Sequence, residues 1–561
     1  VPLDTVQSDL CCRQPPMKIA KSIFDKSLIL PIFSGLLLGF SFPPFHFGWL
    51  AFVGLVPLIF TIDKAENYRQ VLKLSYFAFL VFNIITIYWI GGWTRESDPF
   101  LMIGGAALVL CHPFFFTVPM LVYHFVHKKV GKISVFLFPF LYLSFEHLHS
   151  ITEVAFPWLT LGYSQSYNLA DIQFASYTGL FGLSLQILLV NSFVYYALTL
   201  WLFERVPSGE NHRRNRMRIA ASLLVVLALI VFPEIYGDLI LNSARRNECP
   251  DSMKVAIIQP NMDPYAKWNG DANQIMEIYE QETCKLEGHK PDLVVWPETA
   301  IPFYILLPGL SYYRNSLKAF LDTTDISLLS GVPLAHYYSD SDSAEPSSHY
   351  DEFAHKYYDA YNGAALLEPH SDAYQTYGKI ILVPFGERIP YADAVPFLIK
   401  PLSWGVGISN WARGKDTTVF TLRKGITFST VICYESVFPN YVRQFVKKGA
   451  DFLVIITNDG WYGKSSGPYQ HAVYAVLRAV ENRRAIVRAA NTGISEFIDP
   501  YGRYIGKQTK LDERATLSGS IPISHQNTFY SEHGDWIAHI AEVVSSGVIL
   551  FGLFLKLKRK Y

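Results

Sequence analysis

Three residues able to do covalent chemistry stand at the ends of apolar runs in the middle of this chain. Glu298 closes Val294-Val-Trp-Pro-Glu298, and Lys379 opens a run, Lys379-Ile-Ile-Leu-Val-Pro-Phe-Gly-Glu387, that Glu387 closes. Cys433 ends Ile426-Thr-Phe-Ser-Thr-Val-Ile432 and is followed at once by Tyr434 and Glu435. Each alone has a bland reading: a glutamate after a strand is usually solvated, a lysine at a strand start is usually surface, and a free cysteine is more often buried core. Together they supply what a thiol nucleophile needs. A thiol with a pKa near about 8.5 requires a base to deprotonate it and a cation to stabilise the thiolate and a later oxyanion. Glu298 fits the base and Lys379 the cation. A strand that ends on a small nucleophile and turns sharply lifts the reactive atom clear of the backbone, as in the nucleophile elbow.

The elements that must position these residues lie in a polar block at about 250–530. Short apolar runs begin at Val255, Leu293, Ile326, Ala364, Ile426, Phe452, Ala485 and Glu496, and helical patterns alternate with several of them at 273–286, 310–323, 441–448 and 470–482. Buried strands interleaved with amphipathic helices predict an α/β domain. The Ser/Asp/His-rich stretch His336 to His355 reads as a mobile outer loop without catalytic residues.

Apolar chain surrounds this block. Of 561 residues 50% are hydrophobic and 17% charged, against about 25% charged in a typical soluble domain, so the chain reads as a membrane protein with a soluble part. Lys+Arg and Asp+Glu both total 48, which leaves no global charge to attract nucleic acid. About eight stretches approach the length of a membrane helix, at 27–42, 46–62, 72–92, 100–126, 133–148, 175–203, 218–240 and 536–555. Pro43-Pro44 breaks the first two into a tight hairpin. This divides the chain into a tail (1–26), a membrane domain of seven spans (27–242), the catalytic block (250–530), and an eighth span with a short tail (534–561). Residues 1–16 read as a tail rather than a signal peptide.

Basic clusters around Lys21, Arg69, Lys129, Arg214 and Lys558 fall on one side of these spans. Positive-inside logic makes that side the cytoplasm, with both termini there, and puts the polar block on the outer face with the base-poor connections around Arg95–Asp98 and 146–166. The six cysteines show no metal-type spacing, and nothing demands a Cys249–Cys284 bridge. No metal and no cofactor are indicated. The aromatic connection Phe156 to Gln165 reads either as an interfacial belt or as a membrane-dipping segment that lines a lipid-entry groove under the soluble block. Ile301 to Pro308 and Tyr391 to Gly405 are aromatic and apolar loop segments that read either as substrate-binding arms or as sheet-edge packing.

At these residues the chain resembles the carbon–nitrogen hydrolase (nitrilase) superfamily. Within it the fuller resemblance is to the apolipoprotein N-acyltransferase family, carried by Trp-Pro-Glu-Thr-Ala at 296–300, Leu-Val-Pro-Phe-Gly-Glu at 382–387, Cys-Tyr-Glu at 433–435, Asn-Asp-Gly-Trp-Tyr-Gly at 458–463 and the pieces at 156–165. The resemblance implies a multi-pass helical bundle of about eight spans joined to a four-layer αββα sandwich. It makes Glu298 the general base, Lys379 the thiolate and oxyanion stabiliser and Cys433 the nucleophile, with Glu387, Tyr434 and Glu435 in support. It also implies substrate-binding roles for Trp268, Asn362 and Trp461. The implied partners are a phospholipid acyl donor, a diacylglyceryl-apolipoprotein acceptor and the lipid bilayer of a bacterial inner membrane. One departure is Ile381, where that family often has a histidine, so no second proton carrier is assigned there.

Two other functions use the same features. A membrane-tethered amidase acting on a soluble C–N substrate would keep the triad, but one anchor would suffice for it. A non-catalytic lipid- or lipoprotein-binding module would leave the three residues idle, and the spans show no evident acid–base pairs of the kind a transporter uses.

Overall fold

The computed structural model of the chain describes residues 26–93, 99–203, 210–246, 251–268, 270–286, 288–339, 344–345, 348–391, 393–394 and 411–558. The N-terminal tail, the Arg95–Asp98 connection, Arg205, Cys249 and most of 391–405 lie outside the described residues.

All eight apolar stretches contain helix, but they are unequal. Tyr68–Gly91, Pro99–Phe136, Asp171–Leu202, Asn211–Arg245 and Trp536–Lys558 are long and apolar enough to cross a bilayer. Lys26–Ser41 and Gly48–Asp63 are shorter and flank the Pro43-Pro44 turn as a hairpin. The stretch expected at 133–148 becomes the helix Phe138–Ser150, whose 13 residues reach only about 20 Å, short of a ~30 Å hydrocarbon core. Its start is cut by a turn at Gly131, φ 77°, which hydropathy does not register. Near the Gly179 bend, where φ is 63° and the Tyr530 ring leaves no room for a Cβ, the chain turns beneath the soluble half.

The last helix is tied to Phe138–Ser150 by polar groups. His147 Nδ1 contacts Glu542 Oε1 at 2.8 Å, and Ser144 Oγ lies 2.8 Å from Ser545 Oγ. An acid–base pair is therefore present after all. Its members are 395 residues apart, so no sequence window contains both. His539 joins Glu542 at 3.1 Å, making the one His/Cys/Asp/Glu group with metal-compatible spacing among the described residues.

The soluble half is built on twelve strands. β1 (Ser252–Gln259), β2 (Leu293–Val295), β3 (Ser327–Tyr337), β4 (His349–Asp351), β5 (Lys356–Leu367) and β6 (Tyr374–Gly378) form one sheet. β7 (Phe420–Thr421), β8 (Thr427–Ile432), β9 (Phe452–Thr457), β10 (Ala485–Ala490) and β11 (Glu496–Ile498) form a second, and β12 (Ala515–Pro522) returns to pair with β1 in the first. β1, β2 and β3 are parallel neighbours, as are β8, β9 and β10.

Side chains alternate across each sheet. Val255, Ile257, Val295 and Leu329 pack in one core with Val431, Val454 and Val487 of the second sheet, whereas Ala256, Ile258, Val294 and Leu328 pack with Met276, Tyr279 and Leu317 of the helices Ala272–Cys284 and Ser311–Thr324. Helices Pro439–Lys447 and Ser466–Asn482 contribute Val442, Phe445 and Val473 to the core of the second sheet. The result is a helix–sheet–sheet–helix sandwich. The expected outer loop at 336–355 instead carries the end of β3 and all of β4, because His349–Asp351 pairs antiparallel with β5.

Phe156 to Gln165 is neither a lipid-facing belt nor an open groove lining. It folds into short 3-10 turns, and Pro157 to Gln165 are buried beneath the sandwich. Tyr163 stacks on Tyr474 at 3.9 Å and donates to the Val437 carbonyl at 2.7 Å. Gln470 fastens the two halves: its Oε1 accepts from Trp89 Nε1 at 3.0 Å and Trp158 Nε1 at 2.8 Å, and its Nε2 donates to the carbonyls of Pro43 at 2.7 Å and Thr86 at 3.0 Å. One amide thus joins three membrane-side segments to the catalytic half.

Gln470→Met should strand the Trp158 indole and the Pro43 carbonyl in a buried junction, a loss on the order of 2–4 kcal/mol. The thermal midpoint of the purified protein in detergent should fall; an unchanged midpoint would show that this amide does not hold the halves together.

Candidate active site

Each chemistry-bearing residue sits on a turn that its surroundings force. Trp296 fixes the first by stacking on Tyr279 at 4.6 Å and donating from Nε1 to Thr283 Oγ1 at 3.2 Å. Thr299 then adopts φ 46°, and β3 lies so close that a Cβ on Gly331 would meet the Pro297 oxygen and Thr299 nitrogen at 2.5 Å. Lys379 follows the end of β6, held by its N–H to the Asn362 carbonyl at 2.8 Å. It does not open a strand: the apolar run after it is a loop, which turns at Phe385, φ 60°, to bring Glu387 back. Glu387 closes that loop by accepting the Val383 N–H at 2.8 Å. Cys433 follows the last residue of β8, adopts φ 51° and begins a 3-10 turn, the sharp strand-to-helix geometry of a nucleophile elbow.

These turns converge on one charge cluster. Lys379 Nζ lies 2.9 Å from Glu387 Oε1 and 3.6 Å from Glu298 Oε1, with the lysine 1% exposed. Asn362 Nδ2 donates to Glu298 Oε1 at 2.8 Å and to Glu387 Oε1 at 2.9 Å, while the Asn458 N–H donates to Glu298 Oε2 at 2.9 Å. Burial alone would lower the lysine pKa, but Glu387 and then Glu298 hold it well above its ordinary value. Burial, then Glu298, pushes the Cys433 thiol up, and Lys379 opposes them. The cysteine therefore rests as a thiol.

Behind this cluster stands Glu435. Its carboxylate accepts from the backbone N–H groups of Ile380 at 2.7 Å, Ile381 at 3.1 Å and Ile432 at 2.8 Å, and from Tyr377 and Tyr441. It thereby ties the Lys379 loop to the Cys433 turn. Tyr434, next to the nucleophile, donates to the Ala155 carbonyl of the membrane half at 2.8 Å.

Among the residues expected to bind substrate, Asn362 bridges the two carboxylates and so positions them. Trp268 is 41% exposed with its ring 6.5 Å from Trp411, and Trp461 meets Tyr265 edge-on at 4.9 Å. Among the described residues no hydrogen bond joins either of them to the charge cluster. Within 301–308, Ile301 and Ile305 are fully buried in the helix-side core and Phe303 and Leu306 pack half-buried against it.

Sequence reasoning missed Lys267, although its neighbour Trp268 was singled out. Its Nζ donates to Thr299 Oγ1 at 3.0 Å and the Glu298 carbonyl at 3.4 Å, on the same turn as the base. Burial brings its pKa down to about 8, with Glu298 opposing. Also missed was a buried chain of Ser436, His471, Asp459 and Arg488 beneath Cys433, foreshadowed only by the Asn458-Asp-Gly quoted at the end of β9.

Two outcomes follow. Glu435→Gln replaces an oxygen surrounded by donors with an amide N–H₂, and should destabilise the protein by ~3 kcal/mol, read as a lower thermal midpoint; an unaltered midpoint would deny its role as a buttress. Lys267, whose folded pKa is depressed, is penalised in the folded state below about pH 8. Between there and its unfolded value the unfolded chain binds the extra proton, so stability rises with pH. Wild type should gain ~3 kcal/mol relative to Lys267→Met between pH 7 and 10.5; a pH-independent difference in unfolding free energy would refute this.

Comparison with known proteins agrees with both halves. The family model described as apolipoprotein N-acyltransferase N-terminal domain matches residues 34–193, and the carbon-nitrogen hydrolase model matches 254–525. An apolipoprotein N-acyltransferase of Chlorobaculum tepidum is 35% identical over 92% of this chain and 95% of its own. One from Geobacter metallireducens is 31% identical over 91% of this chain and 92% of its own. Among solved structures, an amidase from Nesterenkonia sp. aligns with 51% of this chain and 95% of its own at 18% identity and a TM-score of 0.36. On the strength of the near full-length relatives, the chain belongs to the apolipoprotein N-acyltransferase family.

Proposed function

We propose that this protein transfers a fatty acyl chain from a phospholipid to the N-terminal α-amine of a diacylglyceryl-cysteine apolipoprotein, carrying the acyl group on Cys433. The observation that supports it most is the Tyr434 hydroxyl on the Ala155 carbonyl. One residue from the nucleophile, the catalytic turn is already bonded to the membrane half, where a soluble-substrate amidase would need only a tether.

In the first half-reaction the Cys433 thiol gives its proton to Glu298 and the sulfur attacks the ester carbonyl. Lys379 faces the negative charge that develops. The C–O bond breaks, the leaving alkoxide takes the proton from Glu298, and lysophospholipid departs from a Cys433 thioester. In the second, the neutral α-amine attacks the thioester carbonyl and passes its extra proton to Glu298. The C–S bond breaks, an amide forms, and the proton returns from Glu298 to the sulfur. The same carboxylate serves in both halves, as ping-pong acyl transfer requires. Glu387 and Asn362 keep Lys379 and Glu298 in register throughout.

Water competes for the thioester, so transfer depends on a dry mouth. Phe385, Tyr391 and Trp268 are exposed apolar side chains on segments near the cluster, and the Tyr391 N–H reaches Glu153 of the membrane half. Such a rim suits a bilayer surface. The distribution of Lys and Arg supports an inner-membrane orientation with the sandwich on the periplasmic face and both termini in the cytoplasm.

The test is to incubate the full-length protein in detergent with acyl-labelled phospholipid and follow both the covalent adduct and transfer to a diacylglyceryl-cysteine peptide. Cys433→Ala should give no adduct and background transfer, and Glu298→Gln should slow both halves by about 10²–10⁴-fold. Undiminished transfer by Cys433→Ala would sink the mechanism.

A further inference from the structure

Cys433 is not a glycine, yet it holds φ 51°, a conformation costing an ordinary residue roughly 1–2 kcal/mol. Something must grip it. Its carbonyl oxygen accepts from Ser436 Oγ at 2.8 Å and lies 3.1 Å from His471 Nε2. The same Nε2 is 2.9 Å from Ser436 Oγ, and His471 Nδ1 is 2.8 Å from Asp459 Oδ1. All three of Ser436, His471 and Asp459 are nearly fully buried.

Donor and acceptor accounting assigns the protons. Asp459 also receives Arg488 Nη2 at 2.8 Å and Thr457 Oγ1 at 3.0 Å, so it is an acceptor on both oxygens. Nδ1 facing it must carry hydrogen. A carbonyl only accepts, so Nε2 facing Cys433 must carry hydrogen too. In the neutral alternative Ser436 would donate to a bare Nε2, leaving two acceptors opposed at 3.1 Å and the Cys433 carbonyl without either donor. The doubly protonated ring satisfies every contact, and Asp459 balances its charge in place. Trp158 of the membrane half covers the ring, centroids 5.4 Å apart, keeping water from competing for these bonds.

We propose that His471 is a positioning residue for the nucleophile: as an imidazolium paired with Asp459, it and Ser436 clamp the Cys433 carbonyl and hold the turn that presents the thiol. The inference rests on Cys433 being the nucleophile.

Two amide substitutions separate this role from a merely structural one. His471→Gln can return an N–H near Nε2, toward the Cys433 carbonyl, but not the one toward Asp459. His471→Asn does the reverse, and it better preserves the buried pairing with Asp459. With acyl-labelled phospholipid and full-length protein, His471→Gln should form the Cys433 adduct within about 10-fold of wild type and His471→Asn at least about 100-fold more slowly. KM for phospholipid should be unchanged in both. Equal rates, or a faster His471→Asn, would overturn the clamp. Should either variant fail to fold, Ser436→Ala tests the same carbonyl by removing its other donor: an adduct rate reduced about 10-fold at an unchanged thermal midpoint supports the clamp, and a wild-type rate overturns it. If wild type itself forms no adduct on Cys433, it is the proposed reaction that fails; if it does and the variants do not rank as stated, only the clamp fails.

Discussion

The structure turns on an ammonium group placed in the dark between two carboxylates. Removing such charges from water costs several kcal/mol per ion, and Lys379 recovers that cost only because Glu387 and Glu298 stand 2.9 and 3.6 Å away with Asn362 bridging them. Two carboxylates against one lysine would leave the cluster negative. Lys267, bonded to the Glu298 turn from another side, brings the local sum to zero.

Holding the cluster together is a task for turns rather than for strands. Thr299, Phe385 and Cys433 are non-glycine residues with positive φ, one beside each of the groups on Glu298, Glu387 and Cys433. Strain of this kind persists only when the surroundings over-determine it. Trp296 on Tyr279 does so for the first, the Val383–Glu387 contact for the second, and Ser436 with His471 for the third. Glu435 then binds the second and third turns to each other through three backbone N–H groups. A misplacement at any one of them reaches the others through hydrogen bonds, so the site behaves as a single rigid object.

Much of this was legible in the chain, and what was not has a physical reason. The strands leading to Glu298 and Cys433 announce themselves because their residues are buried on both faces and read as continuous apolar runs. The run after Lys379 is equally apolar yet forms no strand, since its backbone partners are spent on Glu435 and Glu387; composition reports burial, and here burial came from a loop. β4 escaped notice because it is three polar residues paired at an edge. Asn362 was recognised by resemblance, but its task of bridging two carboxylates emerges only when β5, the Glu298 turn and the Glu387 loop are seen together. Contacts such as Gln470 with Pro43, 427 residues apart, leave no trace in any local pattern.

The buried segment from Phe156 to Gln165 decides what the sandwich can be used for. Had it been a lipid-facing belt, the catalytic half would ride on the membrane as a separate body, and the cleft would be as wet as that of a soluble hydrolase. Instead Trp158, Tyr163 and Ala155 are bonded to Gln470 of the helix Ser466–Asn482 and to Val437 and Tyr434 of the turn that begins at Cys433. Among the described residues the back of the site is thus covered by membrane-half aromatics, while Trp268, Phe385 and Tyr391 are exposed. An acyl group carried on Cys433, as proposed, would on that side face packed rings rather than solvent.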